Sequence, residues 1–150
     1  MTLEFKKTVL DNGVTLVSEH HPHSVGVSVG VWVKVGSKNE LEKLNGITHF
    51  LEHLVFKGTK SRSAFDIAKS LERFGGELNA MTSKEYTVFH AYVLNDHLDQ
   101  AMDVLTDIVS NMECNTKDFL NEKLVVLQEI HMAEDSLEDI IYDYFLESYL

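Results

Sequence analysis

Valine occupies every odd position from 25 to 35, while Gly26, Ser28, Gly30, Trp32 and Lys34 fill the even ones between them. A period of two with one apolar face predicts a strand. Residues 3–10 and 14–20 also read as strands, and they flank Asp11-Asn12-Gly13, whose Asn-Gly pair predicts a tight hairpin. From residue 46 the period changes. Residues 46–57 read as a helix with Gly58 as its stop, and 63–74 as a second helix ending at Gly75-Gly76. Paired strands follow over 77–82 and 85–93, the second with Tyr86, Val88, His90 and Tyr92 on one side and Thr87, Phe89, Ala91 and Val93 on the other. Residues 96–112 and 117–134 are predicted helices. Ser136 with Asp139 resembles a capping box that opens a last helix carrying Ile140, Ile141, Tyr144, Phe145 and Tyr149. The expected fold class is α+β, a mainly antiparallel sheet with helices packed on one face, and no internal repeat or linker divides it.

At 150 residues and 44% hydrophobic composition the chain suits a single soluble domain. No apolar run is long enough to span a bilayer, and residues 1–10 lack a secretory signal, so the expectation is a cytoplasmic protein with no membrane partner. Cys114 is the single cysteine, which excludes an internal disulfide. A net charge of −11 argues against nucleic acid as a partner and would attract basic peptides, although most of these carboxylates serve solubility. The last helix runs to Leu150 without a stop signal, and its aromatic face has no evident partner. This suggests a piece of a longer protein.

The chemistry concentrates at His49-Phe50-Leu51-Glu52-His53. On a helix turning about 100° per residue, Ile47, Phe50, Leu51 and Leu54 share one face, and His49, Glu52, His53 and Phe56 fall opposite. Imidazoles at i and i+4 can take two corners of a tetrahedral metal, with the intervening carboxylate alongside rather than on it. Glu directly before the second His is the order of the inverted zinc-peptidase motif. Two solvated histidines on a polar face would give the same pattern. A catalytic zinc site usually has three protein ligands and an open position, so one ligand remains to be found. Taking Leu120 as origin, Leu124 and Leu127 lie within about 40° of it on the 117–134 helix, while Glu122 and Glu129 point the other way, at about 200° and 180°. Either carboxylate could complete the site with the other supporting it, or both could be solvated. His131 falls with the leucines and reads as a core or interface histidine. His20, His21 and His23 around Pro22 read as a solvated turn, His90 and His97 have no ligand-spaced neighbours, and Cys114 sits at a helix end.

With these residues assembled, the chain resembles the inverted-motif zinc peptidases of the pitrilysin family (M16), on the side of the processing peptidases. The likeness runs through Leu10-Asp11-Asn12-Gly13-Val14, Gly36-Ser37, Gly46 to Leu54, Phe56-Lys57-Gly58-Thr59, Phe74 to Ala80, and Glu122 to Glu129. It implies one zinc ion held by His49, His53 and Glu129, with Glu52 as the catalytic carboxylate and Glu122 as a second acidic group of the catalytic site that does not bind metal. It also implies an edge strand over Gly76–Met81 that pairs with an extended peptide substrate, Asn79 and Ala80 lying near the scissile bond; such pairing suits any sequence because main-chain groups make it. Members of the family are several times longer and built from homologous domains facing one another. The resemblance therefore makes residues 1–150 an N-terminal catalytic zinc-binding domain, truncated at its C-terminal end, whose partner is a second homologous domain or subunit. Two other functions fit parts of the pattern: a non-catalytic zinc-binding piece or partner subunit, and an S-ribosylhomocysteine lyase-like enzyme, which would need Cys114 on the metal.

Overall fold

The computed structural model describes residues 4–149, apart from the side chains of Glu4, Asp139, Tyr142, Asp143, Leu146, Glu147 and Tyr149. In chain order the elements are β1 (Glu4–Val9), β2 (Thr15–His20), β3 (Gly26–Val33), α1 (Ile47–Leu54), α2 (Ala64–Glu72), β4 (Glu77–Thr82), β5 (Thr87–Leu94), α3 (Leu98–Asn111), α4 (Thr116–Glu134) and α5 (Leu137–Tyr149). The fold is α+β with antiparallel pairing throughout, as the alternation and the turn residues lead one to expect. No helix among the described residues is long and apolar enough to cross a membrane.

The strands form two sheets. β1 and β2 make a hairpin closed through Asp11–Gly13, and β3, β5 and β4 form a three-stranded sheet in that order. Register stacks the inward residues into rows: Val29 pairs with Ala91 and Ala91 with Leu78, while Val31 pairs with Phe89 and Phe89 with Ala80. These rows face α2 and α3, and together they enclose Ile67, Leu71, Phe89, Ala91, Val104, Leu105 and Ile108. Strand alternation thus delivers one side of the core and the 3.6-residue repeat of α2 and α3 delivers the other. Only the middle of the valine run takes part. Val25 and Val35 lie outside β3 and are exposed, because the strand leaves the sheet before it reaches them.

α2 ends as its glycines predict. Gly75 takes φ +69, and the Gly76 N–H returns to the Leu71 carbonyl. β4 starts immediately afterwards and occupies the edge of the sheet, beside α1. α4 reaches the rest of the structure mainly through α1, so the two expected site helices do meet.

The reading of His131 as a core residue and the grouping of Phe56 with the histidines do not hold. On α4 the leucine stripe faces outward, with Leu120, Leu124 and Leu127 all exposed, while Glu122 and Val126 are buried. His131 follows the leucines to the surface, where it lies beside Glu134, and is not a core residue. The wheel identified the stripe correctly but not which side meets the protein; the contact with α1 is made through the carboxylate side. On α1, Ile47 and Leu51 are likewise exposed, whereas Phe56 packs against the core although the wheel grouped it with the histidines. Phe56 lies beyond Leu54, where α1 has ended and the 100° step no longer applies. The Ser136–Asp139 capping box rests on a side chain outside the described ones, as does the Tyr149 part of the aromatic face; Ile141, Tyr144 and Phe145 are exposed.

Candidate metal centre

α1 opens at Gly46, whose φ of +88 is a left-handed conformation that residues with a Cβ rarely adopt. Glycine offers no side chain to cap the helix, and Glu40 supplies the cap from the preceding loop. Its Oε2 accepts the Gly46 N–H at 2.7 Å, and its Oε1 accepts the Thr48 N–H at 2.7 Å and the Thr48 hydroxyl at 2.5 Å. Burial raises the Glu40 carboxyl, but the Thr48 and Gly46 hydrogen bonds and the nearby His49 outweigh it and hold it below its ordinary value. A negative group at the positive end of the helix dipole fixes where α1 starts and hence where its histidines point. Sequence reasoning missed Glu40, because helix starts are sought in adjacent Ser, Thr, Asp or Asn residues and this cap reaches across a loop.

One turn into α1, His49 and His53 direct their Nε2 atoms toward each other at 3.2 Å, with the ring planes nearly perpendicular. Glu129 of α4 brings Oε2 to 3.5 Å from His49 Nε2 and 3.3 Å from His53 Nε2. Three nearly equal separations make a triangle. A tetrahedral zinc with bonds of about 2.0–2.1 Å requires ligand atoms about 3.3–3.4 Å apart, so these three atoms fit that ion without moving appreciably. Among the described residues this is the one group of at least three His, Cys, Asp or Glu side chains that could hold a metal. Cys114 is not in it, which removes the ligand that the lyase-like reading requires.

Glu122 stands behind this triangle. It is 7% exposed, its Oε1 lies 2.8 Å from His53 Nδ1, and its Oε2 lies 2.6 Å from Lys57 Nζ. Burial pushes the Glu122 carboxyl up, but the Lys57 and His53 contacts prevail and hold it below the ordinary value. An ionised carboxylate can only accept, so Nδ1 of His53 carries a proton, and in the neutral ring Nε2 is then the nitrogen whose lone pair faces the triangle. The carboxylate–histidine arrangement is the usual support of a metal ligand. Glu52, one place before His53, is half-buried and makes no side-chain hydrogen bond among the described residues.

Asn79 and Ala80 lie in β4 at the sheet edge beside α1. The Asn79 side chain is exposed and its Oδ1 accepts the Ala80 N–H at 2.9 Å; Ala80 is half-buried against the core. A cleft of about 540 Å³ opens next to His49, bordered by Glu40, Asn45, Thr82, Lys84 and Ile130. Of the remaining histidines, His20, His21 and His23 are exposed, His90 on β5 pairs in register with Asn79, and His97 stacks on Phe74 at 3.9 Å between ring centres. Lys57 was another omission. Its neighbours mark only a helix end, and nothing along the chain indicates that it reaches Glu122.

A family model described as Insulinase (Peptidase family M16) matches residues 15–149. The chain belongs to this family. Among M16 relatives it is 46% identical over 138 residues to a Bacillus subtilis (strain 168) protein named uncharacterized zinc protease YmxG, covering 92% of this chain and 34% of that one. It is 40% identical over 141 residues to the mitochondrial-processing peptidase subunit beta of Rattus norvegicus, covering 94% of this chain and 29% of the other. A crystal structure of a protease from Helicobacter pylori superposes with a TM-score of 0.88 at 32% identity, over 94% of this chain and 34% of that one. Pitrilysin superposes with a TM-score of 0.78, also at 32% identity, over 89% of this chain and 14% of its own. The chain spans about a third of the length of the curated relatives it matches.

Proposed function

We propose that this chain is the metal-binding part of a zinc metalloendopeptidase that hydrolyses extended peptides. The observation that carries this reading is the triangle of His49, His53 and Glu129, whose separations suit one zinc ion and whose three atoms all bring lone pairs to a single point. Three converging lone pairs repel unless a cation, or a proton on one ring, lies among them. Relatives named zinc proteases and processing peptidases favour the metal. A bound zinc supplies Lewis acidity, lowering the pKa of a water and polarising a peptide carbonyl.

The other roles belong to the chain. Glu52, carried by the same helix and without a competing partner among the described residues, accepts the proton of the attacking water and returns it to the departing amine. Glu122 fixes the His53 ring through Nδ1. The free edge of β4 pairs with the backbone of an extended substrate, so that Asn79 and Ala80 lie along the peptide close to the bond that breaks, and the cleft beside His49 receives a neighbouring side chain. A second homologous domain or subunit completes the site. That requirement is supported by the exposed apolar faces of α4 and α5 and by the greater length of the relatives.

Elemental analysis of the purified chain tests the metal assignment: one zinc per chain is expected, retained in Glu52→Gln and lost in Glu129→Ala. A parent chain without zinc sinks the reading. Mass spectrometry of a peptide mixture, incubated with the chain with and without chelator, then separates two forms of it. Chelator-sensitive products support hydrolysis by these 150 residues alone. Peptides that bind yet remain intact support a piece that needs its complement.

A further inference from the structure

Glu122 is gripped at both oxygens by one short segment. His53 and Lys57 are four residues apart at the end of α1, and they take Oε1 and Oε2 of the same buried carboxylate. We propose that Lys57 is a positioning residue of the metal centre, acting through Glu122 on the ring of His53. The proposal rests on the zinc reading above and extends it to a residue that touches neither metal nor substrate.

The physical argument begins with the freedom of a carboxylate. A glutamate with one oxygen engaged can still turn about its last bond and tilt its remaining hydrogen bond out of line. An ammonium on the second oxygen removes that freedom and keeps Oε1 directed at Nδ1 of His53. The ring in turn has its rotation and tautomer set, so Nε2 stays in the triangle with His49 and Glu129. Lys57 is itself well anchored. Its N–H bonds to the Leu54 carbonyl at 3.0 Å, and the next residues are tied down by Glu113 N–H to the Gly58 carbonyl at 3.0 Å and Thr59 Oγ1 to Asp107 at 2.7 Å. Its side chain is about one-third exposed, which leaves room for substitution.

The alternative is that Lys57 only docks α1 onto α4, in which case it would affect folding but not the metal. Zinc affinity of the 150-residue chain, measured by competition with a chromogenic chelator, distinguishes the two. Lys57→Met is expected to weaken zinc about 10-fold or more, in the range for loss of a group behind a metal ligand. Lys57→Arg, which keeps a cation on Oε2, is expected to bind zinc within about threefold of the parent. Because Lys57→Met leaves the buried Glu122 charge without its cation and could unfold the chain, the deciding measurement is a double-mutant cycle with Glu122→Gln, where that charge is absent. There, adding Lys57→Met should change zinc affinity less than about twofold, since the route through Glu122 is already cut. Parent-like affinity in Lys57→Met, or full additivity in the cycle, overturns the proposal while leaving zinc binding intact. A parent that binds no zinc overturns the zinc reading as well, so the two failures are told apart.

Discussion

Glu122 and Leu124 are two residues apart on α4, yet the carboxylate is 7% exposed and the leucine 63% exposed. Ordinary burial preferences put them the other way round. The inner face can hold a charge because Glu122 has both oxygens engaged, by Lys57 and His53. On the outer face Leu120, Leu124 and Leu127 meet nothing that covers them among the described residues. A fully exposed leucine forgoes about 1.5–3 kcal/mol of burial, and these three, 40–63% exposed, forgo part of it. The comparison teaches that a carboxylate with both oxygens engaged can occupy the packed face of this helix, beside the buried Val126 and the Phe50–Phe119 ring contact, while an apolar stripe lies outside.

The comparison breaks most clearly at Glu129, at the far end of the same inner face. Glu129→Ala removes the proposed ligand atom 3.3 Å from His53 Nε2 and should weaken zinc by more than the roughly 100-fold that marks the loss of a supporting group. Chelator competition at neutral pH measures it, and an unchanged affinity would mean that the inner face is polar for another reason.

Asp107 on α3 shows whether the rule of engaged buried carboxylates extends beyond α4. It is 8% exposed and accepts hydrogen bonds from Thr59 at 2.7 Å, Ser61 at 2.9 Å and Asn111 at 2.9 Å, together with one from Arg62. Burial raises its carboxyl, but these donors outweigh it and hold it well below the ordinary aspartate value. Asp107→Asn should lose about 2–3 kcal/mol in urea unfolding at neutral pH. Because the folded value is depressed, this stability is fully present above the unfolded value near pH 3.9 and is lost as pH falls below it. Parent and variant should therefore converge in acid; a gap that is constant from about pH 7 to pH 3 would contradict the assignment.

These contrasts explain how much was legible in the sequence. Strands, helix spans and the hairpin were readable because alternation, the 3.6-residue repeat and glycine stops are local. His49, Glu52 and His53 were readable because they share one turn of helix, and Glu129 became a single candidate only once a family resemblance was added. Glu40 and Lys57 were not readable. Each acts across a loop or between helices, at separations that no local rule encodes. The leucine stripe of α4 was seen, but not which side it faces, since a helical wheel identifies faces without saying which one meets a partner.

Val126 lies on the inner face between Glu122 and Glu129 and is 6% exposed. It tests that face without touching its charges. Val126→Ala should cost about 1–2 kcal/mol in urea unfolding of the zinc-free chain, since it deletes two buried methyl groups. A negligible cost would mean that the packing of α4 rests on contacts other than Val126, such as the Phe50–Phe119 ring pair.

The smallest effect belongs to the outer face. Leu124→Gln keeps helix propensity nearly constant and replaces a side chain that is already mostly in water, so its cost in the 150-residue chain should stay within about 0.5 kcal/mol. A glutamine at the equivalent position of a relative about three times as long, one that carries leucine there, measures whether the stripe is covered in it. If the leucine is buried in the longer protein, the cost should rise to about 2–3 kcal/mol, since a polar amide then replaces packed methyl groups. Equal costs in both proteins would mean that the outer face is ordinary surface, and the contrast between Glu122 and Leu124 would then concern the metal site alone.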